Sequence, residues 1–200
     1  DPDRYVLVTP VEMVGITGNA QVRHWARCDL NKFHADDGGI AIGLLPVNDE
    51  HVVWYLQFDS QRFPPPAPDP SARRVFAHRL VGAWADPIPS ALAGCDFSRV
   101  HLWRPVNGDL VPRFHQGNLV LVGDAAHPLL PFTSQGVSSA IADAVLLADA
   151  LAAEDVLGDA LAAYSIERRQ HRAPFVAQGR ALTRNFLAPQ AASALLPVAQ

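Results

Sequence analysis

One short segment in the second half of the chain restricts the possible fold more than any other part. An apolar run at residues 118–122 leads directly into Gly123-Asp124, and a proline-containing loop connects it to an alanine-rich stretch from about Gly136 to Ala153. A buried strand followed by a loop and a long helix is the unit of α/β proteins. Ligands of open α/β sheets lie at the carboxyl ends of the strands. The segment therefore predicts a ligand site next to Gly123.

The residue types in this segment indicate what kind of ligand it holds. Asp124 is placed at the strand end, where its carboxylate can accept hydrogen bonds from the hydroxyl groups of a sugar or polyol. Gly136 opens the predicted helix, whose free N–H groups and positive dipole end suit a negative charge. Glycine also lets a flat ligand approach the backbone closely. We therefore expect a ligand that is polyhydroxylated at one end and anionic at the other.

The order of these residues is also specific. Gly123-Asp124-Ala125-Ala126-His127, followed by Pro131, Gln135-Gly136 and Asp143, resembles the second flavin-binding motif of the class A aromatic hydroxylases. These are FAD-dependent monooxygenases similar to para-hydroxybenzoate hydroxylase. The resemblance implies that Asp124 holds the ribityl chain of FAD and that the start of the helix faces the N1–C2 carbonyl edge of the flavin. The residues it assigns to FAD binding are Gly123, Asp124, Pro131, Gln135, Gly136, Val137 and Ser138.

The chain departs from the family pattern in two ways. Ser134 and Ser138 stand where the family usually has Gly and Asn, although both remain small and polar. The GxGxxG motif, which places the FAD pyrophosphate on a helix N-terminus, has no counterpart in the sequence. The resemblance therefore implies that the chain is the C-terminal half of such an enzyme. We expect the dinucleotide-binding half to lie upstream of Asp1 or to be supplied by a partner chain. A homodimer of this chain is a further possible assembly.

The first sixty residues show the short apolar runs that are typical of a sheet. Tyr5–Thr9, Glu12–Thr17 and Gln21–Ala26 are β-prone or alternating segments. Gly39–Leu45 and His51–Phe58 form the clearest pair, separated by a polar loop, and predict a β-hairpin. His24, Trp25, Trp54 and Tyr55 lie on this predicted sheet. They either line an aromatic substrate pocket or serve ordinary sheet packing, and the sequence favours neither.

The expected fold class is α/β, with α+β organisation in this fragment. It combines a substrate-domain β-sheet with the C-terminal strand-loop-helix part of a Rossmann-like FAD-binding domain whose N-terminal GxGxxG half is absent. The later part of the chain is expected to form two separate helices, one capped by Asp159 and one with Pro174 in its first turn. The predicted domains are 1–112 (substrate-binding sheet, with one helix over about 71–85), 113–155 (second FAD-binding motif) and 156–200 (C-terminal helices).

No protein side chain is assigned a catalytic role, because in enzymes of this kind the flavin carries the chemistry. His127 is expected to be a hydrogen-bonded structural residue of the loop rather than a base. Residues 168–172 are expected to form a solvated basic helix face. The histidines show no HExxH or other ligand spacing, so no metal site is predicted.

Charge and composition narrow the class of partner and the compartment. The net charge is -4 and Lys32 is the only lysine, which argues against binding to nucleic acid or an acidic membrane surface. No apolar run long enough for a membrane span is evident. The two cysteines form no CxxC pair, so reduced thiols and a cytoplasmic location are expected.

The resemblance implies a parent enzyme that uses FAD, with NADPH or NADH as the reductant and O2 as the oxidant, to hydroxylate an aromatic or polyketide-like small molecule. Two alternatives remain open at this point. The first is a flavin oxidoreductase of the prenyl reductase or halogenase type, which does not hydroxylate. The second is a truncated, non-catalytic module for binding or dimerisation.

Overall fold

The structure is a computed structural model that describes residues 5–189 in two compact units. The first, which we call the sheet unit, consists of residues 9–104 together with the described chain from Phe186 onward. The second, the helical unit, consists of residues 105–185 together with the described residues up to Val8. Of the predicted C-terminal helical segment 156–200, residues 190–200 lie outside the described residues. The three-domain division predicted from the sequence stays a prediction.

The described residues form nine strands and five α-helices. The strands are β1 (Tyr5–Leu7), β2 (Pro10–Thr17), β3 (Asn31–His34), β4 (Ile40–Pro46), β5 (Val52–Asp59), β6 (His101–Trp103), β7 (Val106–Gly108), β8 (His115–Gln116) and β9 (Leu119–Val120). The helices are α1 (Ala20–Ala26), α2 (Pro70–Val81), α3 (Ile88–Ala93), α4 (Gly136–Ala153) and α5 (Leu157–Leu187). This mixture of sheet and helix confirms the predicted fold class.

The sheet unit is built on a five-stranded antiparallel sheet of order β3-β4-β5-β2-β6. The predicted hairpin is confirmed, because β4 and β5 pair along their whole length. Side chains alternate between the two faces of a strand, so Trp54, Leu56 and Phe58 of β5 all point to one face. There they pack in a buried core with residues of α1, α2 and α3.

The prediction of a strand at Gln21–Ala26 is wrong, because these residues lie in α1. Asn19 caps this helix: its side-chain oxygen accepts hydrogen bonds from the backbone N–H groups of Gln21 (2.9 Å) and Val22 (3.3 Å). Val22 and Ala26 are buried against the core at helical spacing. A seven-residue helix with a polar cap is hard to distinguish from an alternating strand by pattern alone.

The predicted continuous strand at residues 118–122 is also wrong. Only β9 is a strand, and it pairs with the two-residue β8 in a short hairpin. Leu119 is 67% exposed and Val122 43% exposed, so this apolar segment is not a buried central strand within the described residues. A strand persists only where neighbouring strands satisfy its backbone groups. The described chain offers β9 a partner on one side only.

The two long helices dominate the helical unit. Helix α4 begins at Gly136 as predicted. Helix α5 is one continuous helix through Pro174, so the prediction of two separate helices is wrong. Both sides of the proline are anchored to the same unit. Before it, Tyr164 is buried; after it, Arg180 donates to the side chains of Asn107 (3.0 Å) and Asp109 (2.6 Å). These contacts offset the backbone hydrogen bond that a proline removes.

Helix α4 is unusual in its composition. Its length and apolar content would suffice to cross a membrane, contrary to the expectation that the chain contains no such stretch. The core helix of a soluble protein passes the same test but is mostly buried, whereas 11% of this helix is buried within the described residues. The helix also contains Asp143, a fully buried and ion-paired carboxylate.

Candidate functional site

The turn that carries Asp124 depends on the glycine before it. Residues Gly123–Ala125 form a short 3-10 helix, and Gly123 has φ of +57°, in the left-handed region that favours glycine. A Cβ atom at this position would also lie 3.2 Å from the Cβ of Ala140 on α4. Glycine therefore lets the turn take this conformation while lying close against the helix. The turn directs Asp124 outward, where it is exposed.

A single buried carboxylate holds this turn in place. Asp143 on α4 is fully buried, and its Oδ2 atom accepts the backbone N–H of Gly123 (2.6 Å) and lies 2.7 Å from Nε2 of His127. A carboxylate can only accept, so Nε2 of His127 carries the hydrogen. The Oδ1 atom of Asp143 accepts from Nε of Arg168 at 2.5 Å. The Gly123–His127 turn and helix α5 therefore both bond to Asp143, and His127 is buried and hydrogen-bonded within the loop, as expected.

The prediction that residues 168–172 form a solvated face is wrong for Arg168 and Arg172, whereas Gln170 and His171 are exposed. Arg168 and Arg172 are both buried, and both bond to Ser139: Arg168 donates to its carbonyl (3.1 Å) and Arg172 to its hydroxyl. Burial, together with the like charge of Arg168, lowers the pKa of Arg172. The i, i+4 spacing of the two arginines and the isolated Asp143 in an apolar helix were the available sequence signals. Neither the arginine spacing nor the acidic residue indicates a buried ion pair by itself; the two signals indicate it only in combination.

A second tight turn connects this network to the start of α4. Residues Pro131–Thr133 form another 3-10 helix, which ends at Ser134 with φ of 53°, in the left-handed region. Ser134 is the position where the related family usually has glycine. The N–H of Ser134 donates to the carbonyl of Pro131 (3.0 Å), which closes the turn. The family's preference for glycine here therefore has a backbone explanation, and serine adopts the same conformation at a steric cost.

The beginning of α4 is the part of the site that is suited to a ligand. Gln135 at the N-cap makes no side-chain capping bond, and Val137 and Ser138 in the first turn are exposed. A Cβ atom at Gly136 would lie 3.9 Å from Oδ1 of Asp124. Apart from the neighbouring residues and the backbone of the helix itself, no other described atom would lie within 4 Å. The predicted site residues Asp124 and Gly136 are therefore brought together. The exposed carboxylate of Asp124, which can accept hydrogen bonds, therefore lies beside the N-terminal end of α4. This helix end carries partial positive charge and has no side-chain cap.

These features fit FAD. The carboxylate of Asp124 can accept the hydroxyl hydrogens of the ribityl chain, and the N–H groups of the first turn of α4 can donate to an electron-rich edge of the flavin. The small residues Gly136 and Ser138 leave the backbone accessible to a flat ring. Among residues 5–189, by contrast, no group of three or more His, Cys, Asp or Glu side chains could hold a metal ion.

The four predicted substrate residues are not brought together. His24 and Trp25 lie on α1 rather than on a strand, and both are exposed. Trp54 is fully buried in the core beside Phe97, with ring centroids 5.9 Å apart. Tyr55 follows Trp54 along β5 and therefore points to the opposite face of the sheet. Whether any of the four contacts a substrate stays a prediction.

The fold and this site together define a flavin-binding protein. The sequence profile described as "FAD binding domain" matches residues 7–178, and the chain therefore belongs to the FAD-binding domain family. This confirms the resemblance to the FAD-dependent aromatic monooxygenases.

Curated relatives carry the names of monooxygenases. The chain is 36% identical to the aurachin C monooxygenase/isomerase of Stigmatella aurantiaca over 141 residues, which cover 70% of this chain and 36% of that protein. It is 37% identical to the kynurenine 3-monooxygenase of Xanthomonas axonopodis pv. citri over 95 residues, or 48% of this chain and 18% of that protein.

Solved structures share the fold. The R204Q variant of HpxO from Klebsiella pneumoniae, complexed with FAD, aligns with a TM-score of 0.79 at 21% identity and covers 90% of this chain and 47% of that one. PqsL of P. aeruginosa in complex with 2-aminobenzoylacetate aligns with a TM-score of 0.70 at 27% identity, covering 90% and 48%. The chain thus spans about half of these solved proteins and a smaller share of the curated relatives.

Proposed function

We propose that the protein to which this chain belongs is an FAD-dependent, NAD(P)H-using monooxygenase of the cytoplasm that hydroxylates an aromatic or polyketide-like small molecule with O2. The observation that carries the proposal is the pairing of the exposed Asp124 carboxylate with the uncapped start of α4 at Gly136. The printed names of the relatives support the reaction class, since they include monooxygenases of an aminohydroxybenzoate and of kynurenine.

Each part of the site contributes a separate function. Asp124 binds hydroxyl groups of the cofactor. The N–H groups of Gly136, Val137 and Ser138 stabilise negative charge on the cofactor at the N-terminal end of α4. FAD, when bound, supplies the redox chemistry of the hydroxylation. The buried carboxylate of Asp143 keeps the Asp124 turn and α4 in one fixed geometry, so that these groups do not have to reorganise when the ligand binds.

We also propose what covers the exposed apolar side of α4. Val137, Ile141 and Val145 are spaced by four residues and are all exposed, which gives the helix a solvated apolar stripe. The solved relatives are about twice as long as this chain, and the described residues contain no GxGxxG motif for the pyrophosphate. A dinucleotide-binding half of the same protein is therefore the occupant we assign to this stripe.

The proposal requires that the stripe be an uncovered contact surface in the chain alone, and the association state of the chain tests this. With the stripe uncovered, we expect the chain to self-associate, and we expect Ile141→Glu to reduce this self-association because it places a charge in the apolar contact. Light scattering after gel filtration measures both. A wild-type chain that elutes as a stable monomer would contradict the proposal.

The flavin site is tested by adding excess FAD, desalting the protein and recording the visible absorption spectrum. The chain is measured alone and joined behind a dinucleotide-binding half that carries a GxGxxG motif, taken from an FAD-dependent monooxygenase. We expect retained flavin in the joined protein and a loss of at least about tenfold in affinity for Asp124→Ala, since bonds to charged groups contribute about 1.5–3 kcal/mol. Asp149→Ala, at an exposed position of α4, is the matched control.

Two results would count against the proposed function. If neither form of the protein retains flavin, or if Asp124→Ala binds FAD as well as the wild type does, the site assignment is wrong. If flavin is retained but NADPH and NADH are consumed with release of peroxide, and phenols do not stimulate the reaction, the protein is a non-hydroxylating flavin oxidoreductase.

A further inference from the structure

The five-stranded sheet has a second face, opposite to the core and to helices α1–α3. The pairing registers place its side chains in rows that run across the strands. One row consists of Leu45, Val53 and Ile16; the next of Lys32, Gly43, Tyr55, Val14 and His101; the third of His34, Ala41, Gln57, Glu12 and Trp103. We call this surface the second face. Its polar residues come from β3, β5, β2 and β6, and β4 contributes none.

The third row contains a buried pair of polar side chains that the flavin site does not use. Nε2 of Gln57 donates to Oε1 of Glu12, and both residues are buried, Glu12 being 8% exposed and Gln57 2%. The Oε1 atom of Gln57 is buried and has no hydrogen-bond partner in the part of the chain that the structure describes. A buried acceptor without a partner destabilises the folded state, because it loses its bonds to water and gains none in return. Such an atom calls for an explanation.

Glu12 is a second acceptor at the same place. A carboxylate has about four acceptor positions, and the bond from Gln57 occupies one of them. Burial raises the pKa of Glu12, while the bond from Gln57 and the charge of Lys32 act in the opposite sense. Two acceptor groups therefore lie side by side on adjacent strands, in surroundings where water solvates them poorly.

The neighbouring rows provide a surface for an aromatic ring. The ring of Tyr55 lies directly over Gly43, since a Cβ atom there would be 2.1 Å from Cζ of the tyrosine. Nζ of Lys32 lies 5.7 Å from the centroid of the same ring. Ile16, Leu45 and Trp103 are each more than 40% exposed on this face. Large apolar side chains exposed around a buried polar centre are typical of small-molecule sites.

We propose that Glu12 and Gln57 form a substrate-anchoring site on the second face, which accepts hydrogen bonds from an aromatic small molecule bearing adjacent N–H or O–H donors. The inference rests on the proposed function, in which such a molecule is the substrate. Because Glu12 and the orphaned amide oxygen of Gln57 are both acceptors, the site selects for donors and rejects an acceptor or a carboxylate at the same place.

Binding of two matched probes tests the site. The probes are 2-aminophenol, which offers two adjacent donors, and 1,2-dimethoxybenzene, which has a similar ring but no donor. Saturation-transfer NMR and calorimetry on the full chain measure their affinities. We expect the wild type to bind 2-aminophenol at least about tenfold more tightly, because one charge-assisted bond contributes about 1.5–3 kcal/mol.

Two variants and a control identify the residues. Glu12→Gln keeps the shape but replaces one acceptor oxygen with a donor, and Gln57→Leu removes the orphaned oxygen; each is expected to weaken 2-aminophenol binding about tenfold or more. Glu50→Gln makes the same chemical change at an exposed loop position of the sheet unit and is expected to change nothing. Circular dichroism confirms that each variant is folded. The proposal is overturned if the wild type does not prefer 2-aminophenol, or if both folded variants bind it normally.

A parallel FAD titration separates this inference from the proposed function. Glu12→Gln is expected to leave FAD binding unchanged, whereas Asp124→Ala is expected to weaken it. If 2-aminophenol binds in a Glu12-dependent manner but no form of the protein retains FAD, the donor-binding site stands and the monooxygenase assignment fails. If FAD is retained but the two probes bind equally, only the donor-binding site fails.

Discussion

Replacing Asp143 with alanine is expected to destabilise the helical unit more than any other single change to a charged residue of α4. The substitution leaves three donors without their acceptor: the backbone N–H of Gly123, Nε2 of His127 and Nε of Arg168. Asp143 and Arg168 are 0% and 2% exposed, so water cannot replace the lost carboxylate without opening the packing. Among the described residues, the guanidinium then keeps its bond to the carbonyl of Ser139.

The magnitude follows from the burial of the pair. Removing one partner of a buried ion pair costs about 3–5 kcal/mol, because the remaining charge is left uncompensated. For a urea dependence of about 2 kcal/mol per M, this corresponds to a midpoint lower by about 1.5–2.5 M. The double variant Asp143→Ala/Arg168→Leu removes both charges. It is expected to be less destabilised than the sum of the single variants by at least about 1 kcal/mol.

The chain allows the two units to be followed separately. All four tryptophans lie between residues 25 and 103, in the sheet unit, so their fluorescence reports on that unit. The two longest helices, α4 and α5, lie mainly in the helical unit and dominate the far-UV circular dichroism. We expect Asp143→Ala to lower the urea midpoint seen by circular dichroism more than the midpoint seen by fluorescence.

The control is Asp149→Ala, an acidic residue at an exposed position of the same helix. Surface substitutions of this kind change stability by about 0.5 kcal/mol or less. The reasoning is refuted if Asp143→Ala lowers stability by less than about 1 kcal/mol, or if the double variant shows simple additivity. Either result would mean that Asp143 and Arg168 do not act as a buried pair.

Three further outcomes are expected. Gly123→Ala should lower the stability of the helical unit by more than about 1 kcal/mol in urea unfolding, because alanine is strained at φ of +57° and its Cβ would meet α4; full stability would contradict this turn geometry. Burial raises the pKa of Tyr55 and of Tyr164 to about 12, so phenolate absorbance should show two tyrosines that ionise only near pH 12. The folded state retains these protons, so stability should fall as the pH rises from about 10. Burial also raises the pKa of Glu12 above 4.5, so the stability of Glu12→Gln relative to the wild type should increase as the pH rises from 4.5; a constant difference would exclude the shift.

Features set by short-range physics could be predicted from the sequence. The hairpin of β4 and β5 follows from two β-prone segments around a polar loop. The start of α4 at Gly136 follows from the change from a proline-containing loop to an alanine-rich stretch. The spacing of Asp124 and Gly136 also predicted that these residues lie close together, because a turn and a helix start fix their positions. That they bind the ligand stays a prediction. In these cases the determining residues are close together in the chain.

Interactions between distant residues could not be predicted in this way. From the sequence alone, Arg168 is predicted to lie at the surface, because an arginine is buried only where a partner compensates its charge. Its partner, Asp143, lies 25 positions earlier in the chain, and only the folded structure brings the two together. The apolar segment at 118–122 is likewise predicted to be a buried strand. A buried strand needs a hydrogen-bonded strand on each side, and among the described residues β8 alone pairs with β9. The sequence alone therefore determined the family, the flavin motif and the local elements. The tertiary structure decided which polar groups are buried, because burial depends on partners that local propensity does not specify.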